Sequence, residues 1–296
     1  MATSSTTVNT ATWQCLQHWW NAVDTAGFGF YTAASQTLAT VMADAQQLFS
    51  PDRYIVTALC SATQASWERQ AGRHSAAAAL DEQALQLVRR ELPREEGGMA
   101  PDTAEYLQLL ALADATTGRA ADALGNHVEG DPQQLIQQGD EVLAAVQDCD
   151  FPAELTALLQ TDLDNAVWGY SGLHAVRAVI RHSWVNAEVA MSVGEWERAQ
   201  TFATQAVELS SKWFSPRHQV KSLLVEAAAT SGTDSQLAQK KALLAFENAR
   251  ATKFLPLEWA AAMLLASLPG DDISHWEEQI AQLREQLNQR GACYPE

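Results

Sequence analysis

The sequence of 296 residues has few of the residues that interrupt helices: it contains only 9 prolines and 15 glycines. Ala, Leu and Gln, which favour helices, are abundant. Every strong segment has the apolar period of a helix, and none alternates as a strand does. The composition, 47% hydrophobic and 19% charged, is typical of a globular chain and not of a disordered one. We therefore expect an all-α protein.

Basic residues and cysteine pairs are also scarce. The 19 Lys and Arg against 36 Asp and Glu give a net charge of −17, which would oppose binding to nucleic acid or to an anionic membrane surface. Cys15, Cys60, Cys149 and Cys293 are far apart and form no Cys-x-x-Cys motif, which excludes a zinc ribbon and a dithiol redox motif. Such isolated cysteines are typical of a reducing cytosol.

Long apolar runs are absent too. The first residues have neither the basic start nor the apolar run of a signal peptide, and no apolar stretch approaches the roughly 18 residues of a membrane helix. We expect a cytoplasmic protein without membrane contact. We also expect a disordered tail at 1–10 and a single helical repeat domain at 11–296, with a loop at 93–102 where prolines and glycines cluster.

The sequence lacks the common catalytic motifs. It has no phosphate-binding glycine loop, no Gly-x-Ser-x-Gly and no His-x-x-x-His, so we expect no cofactor, no metal and no catalytic residues. Asp271-Asp272 resembles the paired aspartates of all-helical enzymes that use magnesium. The pair follows Pro269-Gly270 and precedes a helical segment, however, and is better interpreted as a helix N-cap. An all-α enzyme stays a minor alternative.

What the sequence does have is a repeated spacing of small residues. The segment GEWERAQTFATQAVEL at 194–209 begins with a glycine, an acid and an aromatic residue, and Ala199 and Ala206 stand seven apart. Seven residues are about two helical turns, so both alanines lie on one stripe that a neighbouring helix can approach closely. Ala77 and Ala84 repeat the spacing after Gly72. A search for internal repeats is therefore warranted.

Aligning the turn glycines gives Gly72, Gly118, Gly194 and Gly232, at separations of 46, 76 and 38 residues. The segment at 194–209 resembles the turn and second helix of a tetratricopeptide repeat. This resemblance implies a superhelical array of antiparallel helix hairpins, an α-solenoid of about six units in which each hairpin buries the next. Another kind of all-α bundle remains the alternative.

The resemblance also implies where a partner would bind, since the first helices of such hairpins line the concave face. In the best unit, side chains at spacings of three or four fall on one stripe: His174, Arg177, Arg181, Trp184, Glu188 and Met191. Arginines and an indole suit a peptide that carries an acidic group. The alternative is a solvated face with Trp184 in the core. By the same geometry, neighbouring first helices would add Glu105, Gln108, Gln219, Ser222 and Glu226.

These patterns favour a non-enzymatic scaffold that binds a protein or peptide on its concave face. The alternative function is a regulatory sensor that binds a small peptide or a metabolite. Trp13, Trp19 and Trp20 crowd one short helix, which we expect to cap an exposed end of the array. An exposed aromatic patch for self-association is the other interpretation.

Overall fold

The computed structural model describes residues 10–89, 92–124, 130–156, 173–213, 215–269 and 273–292. Within these ranges the chain is helical and contains no strand, so the prediction of an all-α protein is confirmed. Several predictions concern residues outside these ranges: the disordered tail up to residue 9, the Asp271-Asp272 pair and Cys293.

Most consecutive helices of the described chain are joined by short connections, and the longer intervals are those at 89–100 and 149–174. In chain order they are α1 (Thr10–Gly27), α2 (Tyr31–Ala45), α3 (Asp52–Gln70), α4 (His74–Val88), α5 (Pro101–Ala123), α6 (Pro132–Asp148), α7 (Ala175–Ser192), α8 (Trp196–Ser211), α9 (Pro216–Thr230), α10 (Ser235–Thr252), α11 (Leu255–Ser267) and α12 (Ile273–Gln289). Proline stands in the first turn of α5, α6, α9 and α11, where its missing N–H would have no helical partner in any case.

The helices pack in a regular order. Each described helix packs on the next one in the chain, and each odd-numbered helix also packs on the odd-numbered helix that follows it. The odd-numbered helices α1, α3, α5, α7, α9 and α11 are therefore mutual neighbours, and we call them the inner layer. The even-numbered helices lie on the other side of their hairpins and form the outer layer.

The predicted small-residue stripes lie at these helix contacts. Ala77, Ala84, Ala199 and Ala206 are all 0% exposed, because a methyl group lets the next helix pack closely against the stripe. Two of the predicted turn glycines also stand in turns: Gly72 and Gly194 have φ angles of 74° and 76°. Residues that carry a side chain rarely adopt this backbone conformation, whereas glycine does so readily.

Gly118 is different, and the prediction that it stands in a turn is wrong. The helix α5 continues through it to Ala123. A Cβ atom at position 118 would lie 2.2 Å from Oδ2 of Asp81 and 2.8 Å from Nη2 of Arg69. Gly118 is thus a site of close approach between side chains of neighbouring helices and the α5 backbone. The repeat unit aligned on this glycine has no turn there.

The two ends of the described chain meet at a contact that we call the seam. The rings of Phe28 and Phe254 are 5.2 Å apart. Arg290 donates from Nη1 to the carbonyl oxygen of Phe28 at 2.8 Å, and the Thr32 amide donates to the carbonyl oxygen of Arg290 at 3.1 Å. The turn between α1 and α2 therefore packs on the start of α11 and the end of α12. The inner layer closes around a central space.

The tryptophans of α1 are inside the protein. Trp13, Trp19 and Trp20 are 9%, 2% and 5% exposed, so the interpretation as an exposed aromatic patch is wrong. Trp19 donates from Nε1 to the hydroxyl of Thr63 on α3 at 2.9 Å. The helix that we expected to cap an open end instead belongs to the wall of the central space.

No helix among the described residues is long and apolar enough to cross a membrane.

Candidate functional site

The central cavity has a volume of about 370 Å³ and is surrounded by the inner layer. Each of its lining residues belongs to α1, α3, α5, α7, α9 or α11, and none comes from the outer layer. The cavity therefore lies where the first helices of all six described hairpins come together.

Its lining is rich in two residue types. Among the described residues, 5 of the chain's 10 tryptophans and 5 of its 19 basic residues line it, together with a single carboxylate, Glu188. They are Trp19, Trp20, Trp67, Trp184 and Trp259, and Arg69, Arg177, Arg181, Arg217 and Lys221. In a chain of net charge −17 this is a local concentration of cationic side chains.

Two of the lining arginines share one buried carboxylate. Arg177 donates to both oxygens of Asp114, with Nη1 2.9 Å from Oδ1, and Arg181 donates from Nη1 to Oδ1 at 2.6 Å. Burial raises the pKa of Asp114, but the two guanidinium groups lower it more, so the net shift is downward. The cluster carries one net positive charge. The arginines that we predicted to bind the acidic group of a peptide are here paired with Asp114.

A second arginine centre lies on α3. Arg69 donates from Nε and Nη2 to the two oxygens of Asp122, both at 2.8 Å, and also to Oδ2 of Asp81. His74 bonds the same Asp122 through Nδ1 at 2.9 Å. Burial raises the pKa of Asp81 to about 7, partly offset by the Arg69 charge. Arg69 is therefore surrounded by carboxylates and holds α3, α4 and α5 together.

Trp184 is fixed on the α7 side of the cavity. Its Nε1 donates to the hydroxyl of Ser222 at 2.9 Å, and its ring stacks on His218 with centroids 5.5 Å apart. Burial holds the pKa of His218 well below its ordinary value, so this imidazole is neutral at neutral pH. Its Nδ1 bonds the Ser215 hydroxyl at 2.6 Å. Trp184 and His218 together form a flat, uncharged part of the wall.

Arg217 and Lys221 stand one turn apart on α9 and are less strongly engaged. Nζ of Lys221 is 3.5 Å from Oε1 of Glu188, too long for a strong hydrogen bond. The described residues give Arg217 no hydrogen-bond acceptor and no carboxylate within 4.0 Å. Its side chain lies against Gly27 of α1, where a Cβ would be 3.1 Å from its Cδ. These are the cavity cations with the weakest internal counter-charges.

Asp24 interacts electrostatically with Arg217. Burial raises the pKa of Asp24 to about 7, although the Arg217 charge lowers it. Near neutral pH this carboxyl is therefore protonated in a large fraction of molecules. It compensates the Arg217 charge only in part.

Four of the six predicted binding residues meet at the cavity: Arg177, Arg181, Trp184 and Glu188. His174 precedes α7 and stacks on Phe151, with ring centroids 4.1 Å apart. Met191, at the other end of the helix, packs against a separate cluster of small residues. The stripe diverges from the cavity at both ends, because a row at spacings of three and four winds slowly around a straight helix.

The residues predicted from neighbouring first helices do not line the cavity: Glu105, Gln108, Gln219, Ser222 and Glu226 are all outside its lining. Sequence reasoning instead missed Arg69, Arg217 and the tryptophans of α3 and α11. The two cations of α9 stand four residues apart, at Arg217 and Lys221, and that spacing was a usable signal. Nothing in the sequence indicates that α1 and α11 line the same cavity.

The described residues contain no group of three or more His, Cys, Asp or Glu side chains that could hold a metal ion. No family model matches the sequence, and no curated protein matches it either. The tetratricopeptide character of the chain stays a prediction from the residues at 72–87 and 194–209.

Proposed function

We propose that this chain is a non-enzymatic binding protein, a divergent tetratricopeptide-like array that receives part of a protein or peptide partner in the central cavity. The observation that carries the proposal is which helices supply the residues that line the cavity. Every lining residue comes from the first helix of a hairpin, which is the helix that faces the ligand in arrays of this kind.

The chemistry of the lining supports an acidic partner. Asp114 and Asp122 pair with three of the five lining cations, whereas Arg217 and Lys221 have weaker internal counter-charges and can attract a negative group into the cavity. Five tryptophans offer large, rigid apolar surfaces, the residue type that most often dominates binding energy at an interface. An acidic group next to an apolar or aromatic anchor would use both features.

The volume supports the second candidate, a sensor of a small peptide or metabolite. Pockets for small ligands span about 300–1,000 Å³, and 370 Å³ lies near the lower end of that range. The seam also closes the wall between α1 and α11. A partner would therefore insert a side chain or a chain end and would not lay a long segment along an open groove.

Selection from a random peptide library on phage tests the binding proposal. We expect the folded protein to enrich peptides that combine Asp or Glu with Trp, Phe or Leu. The double variant Arg217→Gln, Lys221→Gln should bind the enriched peptides at least tenfold more weakly in fluorescence anisotropy.

The matched control is Arg89→Gln, Lys240→Gln, which removes the same two charge types from exposed outer-layer positions and should leave binding unchanged. Absence of any enrichment would contradict the proposal. Equal loss of binding in both double variants would show that net charge alone, and not the cavity, attracts the peptides.

A further inference from the structure

We infer that the central cavity is a site for an aromatic carboxylate, with the carboxylate at Arg217 and Lys221 of α9 and the ring against the tryptophan wall. The inference rests on the proposed function, because it takes the cavity to be the binding site, and it adds the chemical class of the occupant. The source is either a free aromatic acid or a peptide whose last residue is aromatic.

The position of the anion follows from which cations are already neutralised. Arg177 and Arg69 are engaged bidentately by Asp114 and Asp122. Arg181 shares Asp114 and keeps only part of its charge uncompensated. Among the described lining residues, this leaves α9 as the element with the largest unused cationic capacity.

Arg217 and Lys221 are arranged to act on one anion. Residues four apart lie on the same helix face, about 5–6 Å apart at Cβ, so two long side chains can converge on a small group between them. Arg217 supplies a planar fork that matches a carboxylate, and Lys221 supplies a mobile point charge. The contact of Lys221 with Glu188 is loose at 3.5 Å, so exchanging it for a ligand carboxylate costs little.

The position of the ring follows from Trp184. Lys221 stands 5.9 Å from the centre of the Trp184 ring, so an anion held by Lys221 has an aromatic face directly beside it. Trp184 is held in place by Ser222 and by the neutral His218, and it therefore presents a rigid surface. Aromatic rings pack at centroid distances of about 4.5–7 Å, which a bicyclic acid next to this wall would satisfy.

Burial explains why a single anionic group suits the site. A charge in a partly enclosed cavity is stabilised when it is paired, and Arg217 and Lys221 offer that pairing to one anion. Asp24 leaves Arg217 only partly compensated, which makes room for that one ligand charge.

Isothermal titration calorimetry with three probes tests the inference. We expect 2-naphthoate to bind at least tenfold more tightly than 2-naphthamide, which lacks the charge, and than acetate, which lacks the ring. Arg217→Gln should weaken the binding of 2-naphthoate at least tenfold, and Lys221→Gln should weaken it several-fold. Asp24→Asn should strengthen it or leave it unchanged. Arg89→Gln is the control and should have no effect.

A second arm identifies the source. A short peptide that ends in Trp with a free carboxylate is compared with the same peptide amidated. Tighter binding of the free-acid form supports a chain end, whereas tight binding of 2-naphthoate alone supports a free aromatic acid. The inference is overturned if charged and amide probes bind equally in both arms, or if both α9 variants remain folded by circular dichroism and bind as the wild type does.

The two proposals fail separately. Peptides from the phage selection that bind through the α9 cations, while neither carboxylate probe binds, would leave the proposed function intact and refute the aromatic carboxylate. If no peptide is enriched and no probe binds, both proposals are wrong.

Discussion

Asp114 illustrates how one side chain changes the meaning of a sequence pattern. The row of Arg177, Arg181 and Trp184 predicted arginines open to a partner, but the carboxylate of Asp114 lies between the two guanidinium groups. Breaking such a buried pair by removing one partner costs about 3–5 kcal/mol. Alanine at Arg177 would therefore report on folding before it reported on binding, which is why the binding tests use Arg217 and Lys221.

Gly118 gives a prediction at the residue scale. Alanine is favoured over glycine in a helix interior by about 1 kcal/mol. At this position, however, the added Cβ would meet Asp81 and Arg69 at 2.2 and 2.8 Å. Since both groups are buried and paired, we expect Gly118→Ala to lower the free energy of unfolding by about 1–3 kcal/mol, the usual cost of overpacking. Urea denaturation measures it.

The control is the same substitution in an Asp81→Ala background, where the closest atom is gone. The loss caused by Gly118→Ala should then be smaller, which a double-mutant cycle resolves. An equal loss in both backgrounds would mean that Asp81 is not the cause.

At the scale of the element, the sequence of α8 has a clear stripe of small residues at helical spacing. Its buried residues are Ala199, Ala203, Ala206 and Ser210, all small and on one stripe, while the residues between them are exposed or half-buried. The stripe packs α8 on α7 and α9, where it meets the buried residues Ala187, Ala190, Val225 and Ala229. Small size at these positions is what lets the outer layer approach the inner one.

We therefore expect Ala206→Leu to destabilise the protein by about 1–3 kcal/mol, since the larger side chain must push α8 away from its neighbours. Gln205→Leu adds a leucine at the adjacent exposed position and should change the free energy of unfolding by less than about 0.5 kcal/mol. Thermal unfolding of the two variants side by side makes the comparison. Similar melting temperatures would show that the stripe does not control packing.

At the scale of the whole molecule, the seam decides the shape of the site. The inner layer encloses a cavity because the α1–α2 turn packs on α11 and on the end of α12, through Phe28, Phe254, Thr32 and Arg290. Arg290 also lies over the ring of Phe30, 4.4 Å from its centre. Without these contacts α1 and α11 would be the two open ends of the inner layer, and Trp19 and Trp259 would no longer face one space.

Arg290→Ala should loosen the seam locally. One hydrogen bond contributes about 0.5–1.5 kcal/mol net, so we expect the Thr32 amide to exchange with solvent about three- to tenfold faster. The Arg73 amide, which donates to the Glu68 carbonyl oxygen at 2.9 Å in the α3–α4 turn, serves as the internal control and should not change. NMR-detected hydrogen exchange measures the rates of both amides. Unchanged exchange at Thr32 would show that Arg290 does not hold the seam.

The sequence by itself determined the all-helical character, the glycine turns at Gly72 and Gly194 and the buried alanine stripes, because each of these depends on residues within two or three turns of one another. It also placed Arg177, Arg181, Trp184 and Glu188 on one face of α7 for the same reason. The tertiary structure alone decided that Asp114 pairs with two of them and that Gly118 stands inside a helix. It alone brought α9 and α11 to the tryptophans of α1, because contacts between residues far apart in the chain depend on the packing of all the helices between them.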